Sequence, residues 1–300
     1  MYRKHFGLTE KPFSLIPDPD YLYLSKQHKA AFTMLEYGLL EMTGLTVISG
    51  DVGAGKTTLI RHLLRRINYN KITVGLINTA HESYGDLMHW VASAYKIDFE
   101  DKGRVALHRD LQDFLVKEYA EGRRVVLIVD EAQNIGKESL EELRLISNIN
   151  AEKDQLIQII LVGQPELLDI LSRPELSQIA QRVSAEYHLE PLNLKETIEY
   201  VCHRLQVAGG SYIFETFAIA TIYYFSGGIP RLINTLCDYA LVHAYAADKK
   251  KVDLEVALEV IRGKRIGGIE RIKGKNADME NARLTLQKAT GIDLAEVMNG

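Results

Sequence analysis

The segment between residues 45 and 68 constrains the fold more than any other part of the chain. An apolar run, LTVISG (45–50), leads into GDVGAGKT (50–57), and a helical pattern follows. This arrangement fits the motif G-x-x-x-x-G-K-[ST] placed between a strand and a helix. In that setting, the backbone N–H groups of the loop and the N-terminus of the helix bind phosphate. The sequence therefore predicts a nucleotide-binding α/β domain built around this loop.

The remainder of this region alternates between short apolar runs and helical patterns. Runs rich in branched apolar residues are typical of strands buried on both faces of a parallel sheet. Such runs occur at 45–50, 72–79, 125–130, 157–163 and, more weakly, 184–189. Helical patterns lie at 56–68, 84–95, 104–121, 138–149, 165–172 and 174–182. The alternation predicts a three-layer α/β core with a parallel sheet.

Changes in patterning divide the chain into four predicted segments. Residues 1–43 form an N-terminal segment with helix-breaking prolines and a helix after Tyr23. Residues 44–191 form the α/β core. Residues 192–262 contain only helical patterns, at 193–208, 214–226, 230–247 and 253–262, and predict a small all-α lid domain. Residues 263–300 include KRIGGIERIKGK from Lys264 and a helical pattern near 278–290, and we interpret them as a basic tail that is flexible or loosely docked.

The phosphate loop supplies the first group of candidate binding residues. Lys56 is expected to reach the β- and γ-phosphates of a nucleotide, and the hydroxyl of Thr57 is expected to ligate Mg²⁺. The other loop residues are expected to bind phosphate mainly through their backbone. The predicted nucleotide-binding set is Gly50, Asp51, Val52, Gly53, Ala54, Gly55, Lys56, Thr57 and Thr58.

Polar side chains at the ends of two later strands supply the second group. The run VVLIVDE ends in Asp130 and Glu131, and the run IQIILVG is followed by Gln164. Asp130 is expected to hold Mg²⁺, and Glu131 is expected to act as the general base that activates water. Gln164 is expected to contact the γ-phosphate or to orient the attacking water.

Two arginines lie where they could stabilise charge on a transferred phosphate. Arg182 follows the helical pattern 174–182 and could reach the nucleotide of a neighbouring subunit as an arginine finger, with Arg173 as a competing candidate. Arg231 follows a Gly-Gly-Ile-Pro turn at the start of a helix in the all-α segment. A lid arginine that contacts phosphate would couple the nucleotide state to the lid.

Composition and charge limit the classes of partner and location. The chain has 36 basic and 40 acidic residues, a net charge of −4, so there is no overall attraction to nucleic acid, although a local basic patch remains open. The N-terminal run MYRKHFGLTEKPF lacks the apolar core of a signal peptide, and no apolar stretch approaches the ~18 residues of a membrane helix. We therefore expect a cytoplasmic protein that reaches the inner membrane only peripherally, through a partner.

Taken together, these residues resemble an AAA+ ATPase. Gly50–Thr57 corresponds to Walker A, Val126–Glu131 to Walker B, Gln164 to sensor 1, Arg182 to the arginine finger and Arg231 to sensor 2. The N-terminal forty residues, with VDEAQN, LVGQPEL, QRVSAEYHLEPL and GGIPRLIN, resemble the general secretion pathway protein A (ExeA-like) family over residues 1–262. Within that family the resemblance is to secretion ATPases of exopolysaccharide and PEP-CTERM/exosortase loci.

The resemblance implies Mg²⁺-dependent hydrolysis of ATP in the service of an envelope secretion, pilus or exopolysaccharide-export system. It also implies a homo-oligomer, such as a hexamer, with shared ATP sites and a membrane-located secretion-system protein as partner. Adenine as the preferred base comes from the resemblance alone.

Two alternatives remain open at this stage. Transposition regulators of the TniB and TnsC-like kind share much of this core and bind DNA. Their possible footprint here is Arg61, Arg65, Arg66 and Lys71, together with the basic stretch Lys264–Lys275. The other alternative is a nucleotide-dependent scaffold with negligible turnover, against which the presence of Glu131 argues weakly.

Overall fold

The structure is a computed structural model that describes residues 1–78, 86–151, 153–263 and 277–297. Its residues form two compact units. The sheet unit comprises residues 26–51 and 59–189, and the helical unit comprises residues 1–25, 52–58 and 190–300. Most of the phosphate loop therefore clusters with the helical unit, although it continues directly from a strand of the sheet unit.

A five-stranded parallel sheet forms the centre of the sheet unit. With strands numbered in chain order, its members in spatial order are β2 (Ile72–Ile77), β3 (Arg124–Val129), β6 (Ile157–Gly163), β1 (Leu45–Gly50) and β7 (Val183–Leu189). Every residue of β1 and β6 is buried, as the uninterrupted apolar runs predict. A two-stranded antiparallel ladder, β4 (Asn150–Ala151) with β5 (Asp154–Gln155), precedes β6.

Helices cover the sheet because parallel strands require crossover connections. Buried leucines and isoleucines of the helices between Leu87 and Ala180 pack on the sheet in one continuous core. The helices are α2 (Lys26–Glu41), α3 (Lys56–Arg66), α4 (Leu87–Ala94), α5 (Arg104–Ala120), α6 (Lys137–Ile146), α7 (Glu166–Leu171) and α8 (Ser177–Ala180), with α3 beginning in the phosphate loop.

The helical unit packs around α10, whose residues from 218 to 226 are all buried. The other helices are α1 (Tyr2–His5), α9 (Leu194–Val207), α11 (Pro230–Ala246), α12 (Leu254–Gly263) and α13 (Ala277–Thr290), with α10 spanning Thr216–Ser226. The turn between α10 and α11 needs glycine, because Gly228 has φ +77° and a Cβ there would lie 1.9 Å from the carbonyl oxygen of Leu192.

Residues 1–25 of the N-terminal segment are part of this helical unit. The guanidinium of Arg204 on α9 donates to the carbonyl oxygen of Pro12 at 2.5 Å and lies over the ring of Tyr21, 4.7 Å from its centroid. The backbone N–H and the hydroxyl of Thr9 both donate to the carbonyl oxygen of Ala208, at 2.9 and 3.0 Å. These contacts join residues about 190 positions apart in the sequence.

The structure confirms the predicted fold class, a parallel α/β core with helical segments C-terminal to it. Three local predictions differ from it. The predicted helix 174–182 is a 3₁₀ turn, Pro174–Leu176, followed by the one-turn α8, and a short helix, Tyr2–His5, precedes the prolines of the N-terminal segment. The helix predicted from 84 begins at Leu87, after the cap residue Asp86, while residues 84–85 and 79 lie outside the described part of the chain.

Part of the C-terminal region packs into the core of the helical unit. Met279, Ala282 and Leu286 on α13 are buried in the core of the helical unit. The carboxylate of Asp278 accepts a hydrogen bond from the backbone N–H of Leu194 and another from the Tyr223 hydroxyl, both at 3.0 Å. An apolar face at helical spacing thus docks this helix, whereas the basic stretch 264–275 lies outside the described residues. The four-segment organisation itself stays a prediction.

Candidate functional site

The phosphate loop has a backbone that favours glycine. Gly53 has φ +87° and Gly55 has φ +103°, values that residues with a Cβ rarely adopt. Lys56 is the first residue of α3, and only 7% of it is exposed. The loop therefore places a nearly buried ammonium group at the N-terminus of a helix. Both the N-terminus of the helix and the positive charge of Lys56 favour the binding of an anion.

The start of α11 lies against this loop within the helical unit. The backbone N–H of Arg231 donates to the carbonyl oxygen of Gly53 at 3.2 Å. A Cβ on Gly53 would lie 2.4 Å from the Cβ of Arg231, so the two backbones approach as closely as glycine allows. The side chain of Arg231 is exposed. The structure thus brings the predicted lid arginine to the predicted phosphate loop.

We expect that replacing Gly53 by alanine lowers both stability and nucleotide affinity. The new Cβ would clash with Arg231, and the positive φ would add about 1–3 kcal/mol of backbone strain. Thermal unfolding with and without ATP measures both effects. Gly263→Ala is the matched control, because Gly263 has open space around it and its φ is not positive. Equal melting temperatures for the two variants would contradict the expectation.

Polar residues collect at the carboxyl edge of the sheet. Asp130 follows β3 and Gln164 follows the neighbouring strand β6, so parallel pairing brings them to one edge. The Asp130 backbone N–H extends the pairing with β2 by donating to the carbonyl oxygen of Ile77 at 2.8 Å. Only 7% of Asp130 is exposed. Its Oδ1 accepts from the backbone N–H of Glu131 at 3.0 Å.

Glu131 adopts a strained backbone conformation at this edge. Its φ of +53° and ψ of +39° lie in the left-handed region, which costs a residue with a Cβ about 1 kcal/mol or more. Such outliers concentrate at functional sites, where the surrounding structure holds them in place. The sharp turn ends the strand and begins the 3₁₀ helix Ala132–Asn134.

Three side chains form a closed hydrogen-bonded cluster at the same edge. The Nε2 of Gln133 donates to the Oε2 of Glu131 at 2.7 Å, and the Nε2 of Gln164 donates to the same oxygen at 3.3 Å. The Oε1 of Gln133 accepts from the backbone N–H of Gln164 at 3.0 Å. The structure thus joins two residues that the sequence predicts, Glu131 and Gln164, through one that it does not single out, Gln133.

A second polar pair lies at the ends of β1 and β7. The hydroxyl of Ser49, which is fully buried, lies 2.9 Å from the Nδ1 of the exposed His188. Neither residue was predicted to be functional. The sequence contains the same signal for Ser49 and His188 as for Asp130 and Gln164, namely a polar residue near the carboxyl end of a parallel strand.

The predicted finger residue lies on the surface. Arg182 and the competing Arg173 are both exposed. Within the described part of the chain, neither side chain has a recorded ion pair. An arginine available to a neighbouring subunit requires this exposure.

The four basic residues predicted as part of a DNA footprint, Arg61, Arg65, Arg66 and Lys71, are all exposed. The three arginines lie on α3, and Lys71 directly precedes β2. The guanidinium of Arg66 lies 3.8 Å from the carboxylate of Glu36 and over the ring of Phe32 at 5.3 Å, both on α2. The exposure of these side chains leaves the predicted footprint open.

The two residues predicted to hold Mg²⁺, Thr57 and Asp130, carry the oxygen atoms that this ion prefers. Mg²⁺ commonly uses one or two protein oxygens together with substrate phosphates, rather than a cage of protein ligands. No group of three or more His, Cys, Asp or Glu in the described ranges is arranged to hold a metal. The nearly buried Asp130 and the loop hydroxyl of Thr57 are oxygen donors of the right chemistry. In the same ranges, no helix is long and apolar enough to span a membrane.

Comparison with known proteins finds a matching domain family and a relative of this chain. A family described as "AAA domain" matches residues 41–171. The chain is also 40% identical over 273 residues to the general secretion pathway protein A of Aeromonas hydrophila, a match that covers 89% of this chain and 50% of that protein. The chain therefore spans about half the length of this curated relative.

Solved structures share the fold at low sequence identity. The Aeropyrum pernix ORC2 protein, in ADPNP–ADP complexes, matches with a TM-score of 0.65 and 16% identity, covering 95% of this chain and 85% of that one. The Aeropyrum pernix ORC1 protein in complex with DNA matches with a TM-score of 0.60 and 16% identity, covering 97% and 85%. Identities this low demonstrate the fold and nothing more.

Proposed function

Since this chain carries an AAA domain and is related to general secretion pathway protein A, we propose that it hydrolyses ATP with Mg²⁺ to support assembly of an envelope secretion, pilus or exopolysaccharide-export system. The observation that carries the proposal is the glycine loop at the head of α3, with Lys56 nearly buried. Support comes from the polar cluster at the carboxyl edge of the sheet from which this loop continues.

Each proposed residue has a defined task in the reaction. Lys56 and the N–H groups of residues 50–58 bind the phosphates and neutralise their charge. Thr57 and Asp130 would hold Mg²⁺, which would supply further positive charge at the phosphate oxygens. Glu131 accepts a proton from the attacking water, and Gln164 orients that water or the γ-phosphate. Arg231, at the start of α11, responds to the phosphate and transmits the nucleotide state to the lid.

We place the shared ATP sites in a homo-oligomer such as a hexamer, with Arg182 of one subunit completing the site of the next. The exposure of Arg182 supports this role, because a finger must be free to enter a neighbour's site. The output acts on a membrane-located secretion-system protein, and the ATPase itself works in the cytoplasm, peripheral to the inner membrane.

The experiment that tests the proposal is the ATPase rate per subunit as a function of protein concentration. We expect the rate to rise with concentration in the wild type and to stay at the dilute value in Arg182→Ala, because an incomplete shared site gains nothing from association. Arg173→Ala tests the competing finger in the same assay. A rate independent of concentration that survives Arg182→Ala would remove the finger and favour a monomeric switch. A wild type without turnover would favour the nucleotide-dependent scaffold.

The same assay with double-stranded DNA tests the alternative of a DNA-binding transposition regulator. The exposed Arg61, Arg65, Arg66 and Lys71 are the described residues that keep this alternative open. DNA stimulation, together with binding that falls steeply with salt, would favour it, because phosphate neutralisation releases counterions. We expect no DNA effect, since the net charge of −4 gives the chain no overall attraction to DNA.

A further inference from the structure

We propose that Gln133 is a positioning residue that holds the carboxylate of Glu131 and links it to Gln164. The inference rests on the proposed ATPase function, because it names the group that orients the base of that reaction. Gln133 lies two residues after Glu131, and its side chain touches both the base and the backbone of the residue assigned to sense the γ-phosphate.

The carboxamide of Gln133 forms hydrogen bonds with one acceptor and one donor. Its NH₂ group donates to the Glu131 carboxylate at 2.7 Å, and its carbonyl oxygen accepts from the Gln164 backbone N–H at 3.0 Å. Exchanging the two ends of the amide would place oxygen against oxygen and N–H against N–H, so the partners fix its orientation. No apolar or singly functional side chain could make both bonds.

The backbone around Gln133 is arranged to present this side chain. Glu131 adopts the left-handed conformation that starts the 3₁₀ turn. The backbone N–H of Asn134 closes the turn by donating to the carbonyl oxygen of Glu131 at 3.0 Å. Ala132, fully buried, anchors the turn. The strained residue and the glutamine that holds its carboxylate therefore belong to one local structure.

The neighbouring strand β6 leaves space for the carboxamide of Gln133. Gly163 ends β6, and a Cβ at this position would lie 2.9 Å from the Oε1 of Gln133. The same Cβ would lie 2.8 Å from a methyl group of Leu167. Gly163 thus permits the close approach of Gln133 to the Gln164 N–H.

This geometry couples two parts of the proposed reaction. Glu131 Oε2 accepts from both glutamines, so a shift of Gln164 towards a phosphate alters the hydrogen bonding of the base directly and through Gln133. A base held by two donors has a fixed orientation, and a misplacement of about 1 Å can cost on the order of 100-fold in rate. Loss of Gln133 should therefore lower the rate of the chemical step and leave the affinity for ATP unchanged.

The first test compares kcat with ATP affinity. Gln133→Leu removes both hydrogen bonds and leaves an apolar side chain that is one atom shorter. We expect kcat to fall about 10- to 100-fold, with the dissociation constant of a fluorescent ATP analogue and the melting temperature close to wild type. Gln112→Leu is the matched control, because Gln112 is exposed on α5. A kcat within twofold of wild type, or an equal loss of ATP binding and stability, would overturn the inference.

The second test separates hydrogen bonding from packing. Gln133→Met keeps the length of the side chain, and its thioether cannot donate a hydrogen bond. Because the proposed role depends on the donation to Glu131, we expect kcat to fall as far as in Gln133→Leu, with the dissociation constant of the ATP analogue close to wild type. A kcat that Gln133→Met restores to within twofold of wild type would overturn the inference.

A double variant separates action through Glu131 from an independent role. Because Gln133 acts on the reaction through the base, Gln133→Leu should cause no further fall in kcat once Glu131 is glutamine. An additional tenfold fall would overturn the inference. A wild type that binds ATP but shows no hydrolysis would overturn the proposed function, and this inference with it. Wild-type turnover combined with an equally active Gln133→Leu would overturn the inference alone.

Discussion

Lys56→Ala should weaken ATP binding about 100-fold or more and remove ATPase activity at ordinary ATP concentrations. Lys56 is 93% covered and begins α3, so its ammonium group is held where the phosphate loop ends. A charged partner lost from a nearly buried site costs about 3 kcal/mol or more, which corresponds to a change of more than 100-fold in the dissociation constant. Alanine is a good helix former, so α3 itself should persist.

Titration of the protein with a fluorescent ATP analogue in the presence of Mg²⁺ measures this loss directly. Lys117→Ala is the matched control, since Lys117 is exposed on α5 and its loss should leave both affinity and turnover unchanged. Binding by Lys56→Ala within threefold of wild type would show that the nucleotide does not occupy the phosphate loop. Circular dichroism on the same samples separates lost binding from lost folding.

The strands were predictable because their chemistry is local. β1 and β6 match the predicted runs 45–50 and 157–163 to the residue, since a strand buried on both faces must be apolar throughout. The helix predicted at 174–182 was not found as such, because the pattern does not reveal that Pro174 starts a 3₁₀ turn before a single α-helical turn. Periodicity predicts that a helix exists better than it predicts where the helix begins.

The organisation of the helical unit depends on contacts that no local pattern contains. Arg204 binds the carbonyl oxygen of Pro12 and stacks on Tyr21, joining segments about 190 residues apart in the chain. Likewise, the pattern at 278–290 predicts a helix but gives no partner, and its docking depends on Asp278 meeting Leu194 and Tyr223. These pairings follow from tertiary packing.

The residues of the candidate site also divide into those that the sequence predicts and those that it does not. Lys56 and Thr57 follow from the loop motif, while Asp130, Glu131 and Gln164 follow from the rule that polar residues collect where parallel strands end. Gln133 does not follow from either rule. Its role depends on the left-handed φ of Glu131 and on the space above Gly163, which only coordinates reveal. The roles of all these residues remain predictions until variants are assayed.

Glu131→Gln should retain ATP and lose turnover, with kcat reduced about 1,000-fold. The amide has nearly the same shape as the carboxylate, and its carbonyl oxygen can still accept from the Nε2 of Gln133. The strained turn at Glu131 should therefore persist. What the amide cannot do is take a proton from water, and general-base catalysis contributes about 10²–10⁴ in rate.

Because binding and chemistry separate in this variant, it also distinguishes the proposed enzyme from a scaffold that only binds nucleotide. Single-turnover hydrolysis measures the chemical step, and the fluorescent analogue measures affinity, which should stay within threefold of wild type. Glu100→Gln is the matched control, because Glu100 lies exposed in the loop before α5. Hydrolysis by Glu131→Gln at the wild-type rate would show that another group activates the water. In that case Gln133 would position a residue with no part in the chemistry, since its hydrogen bond is to the Glu131 carboxylate.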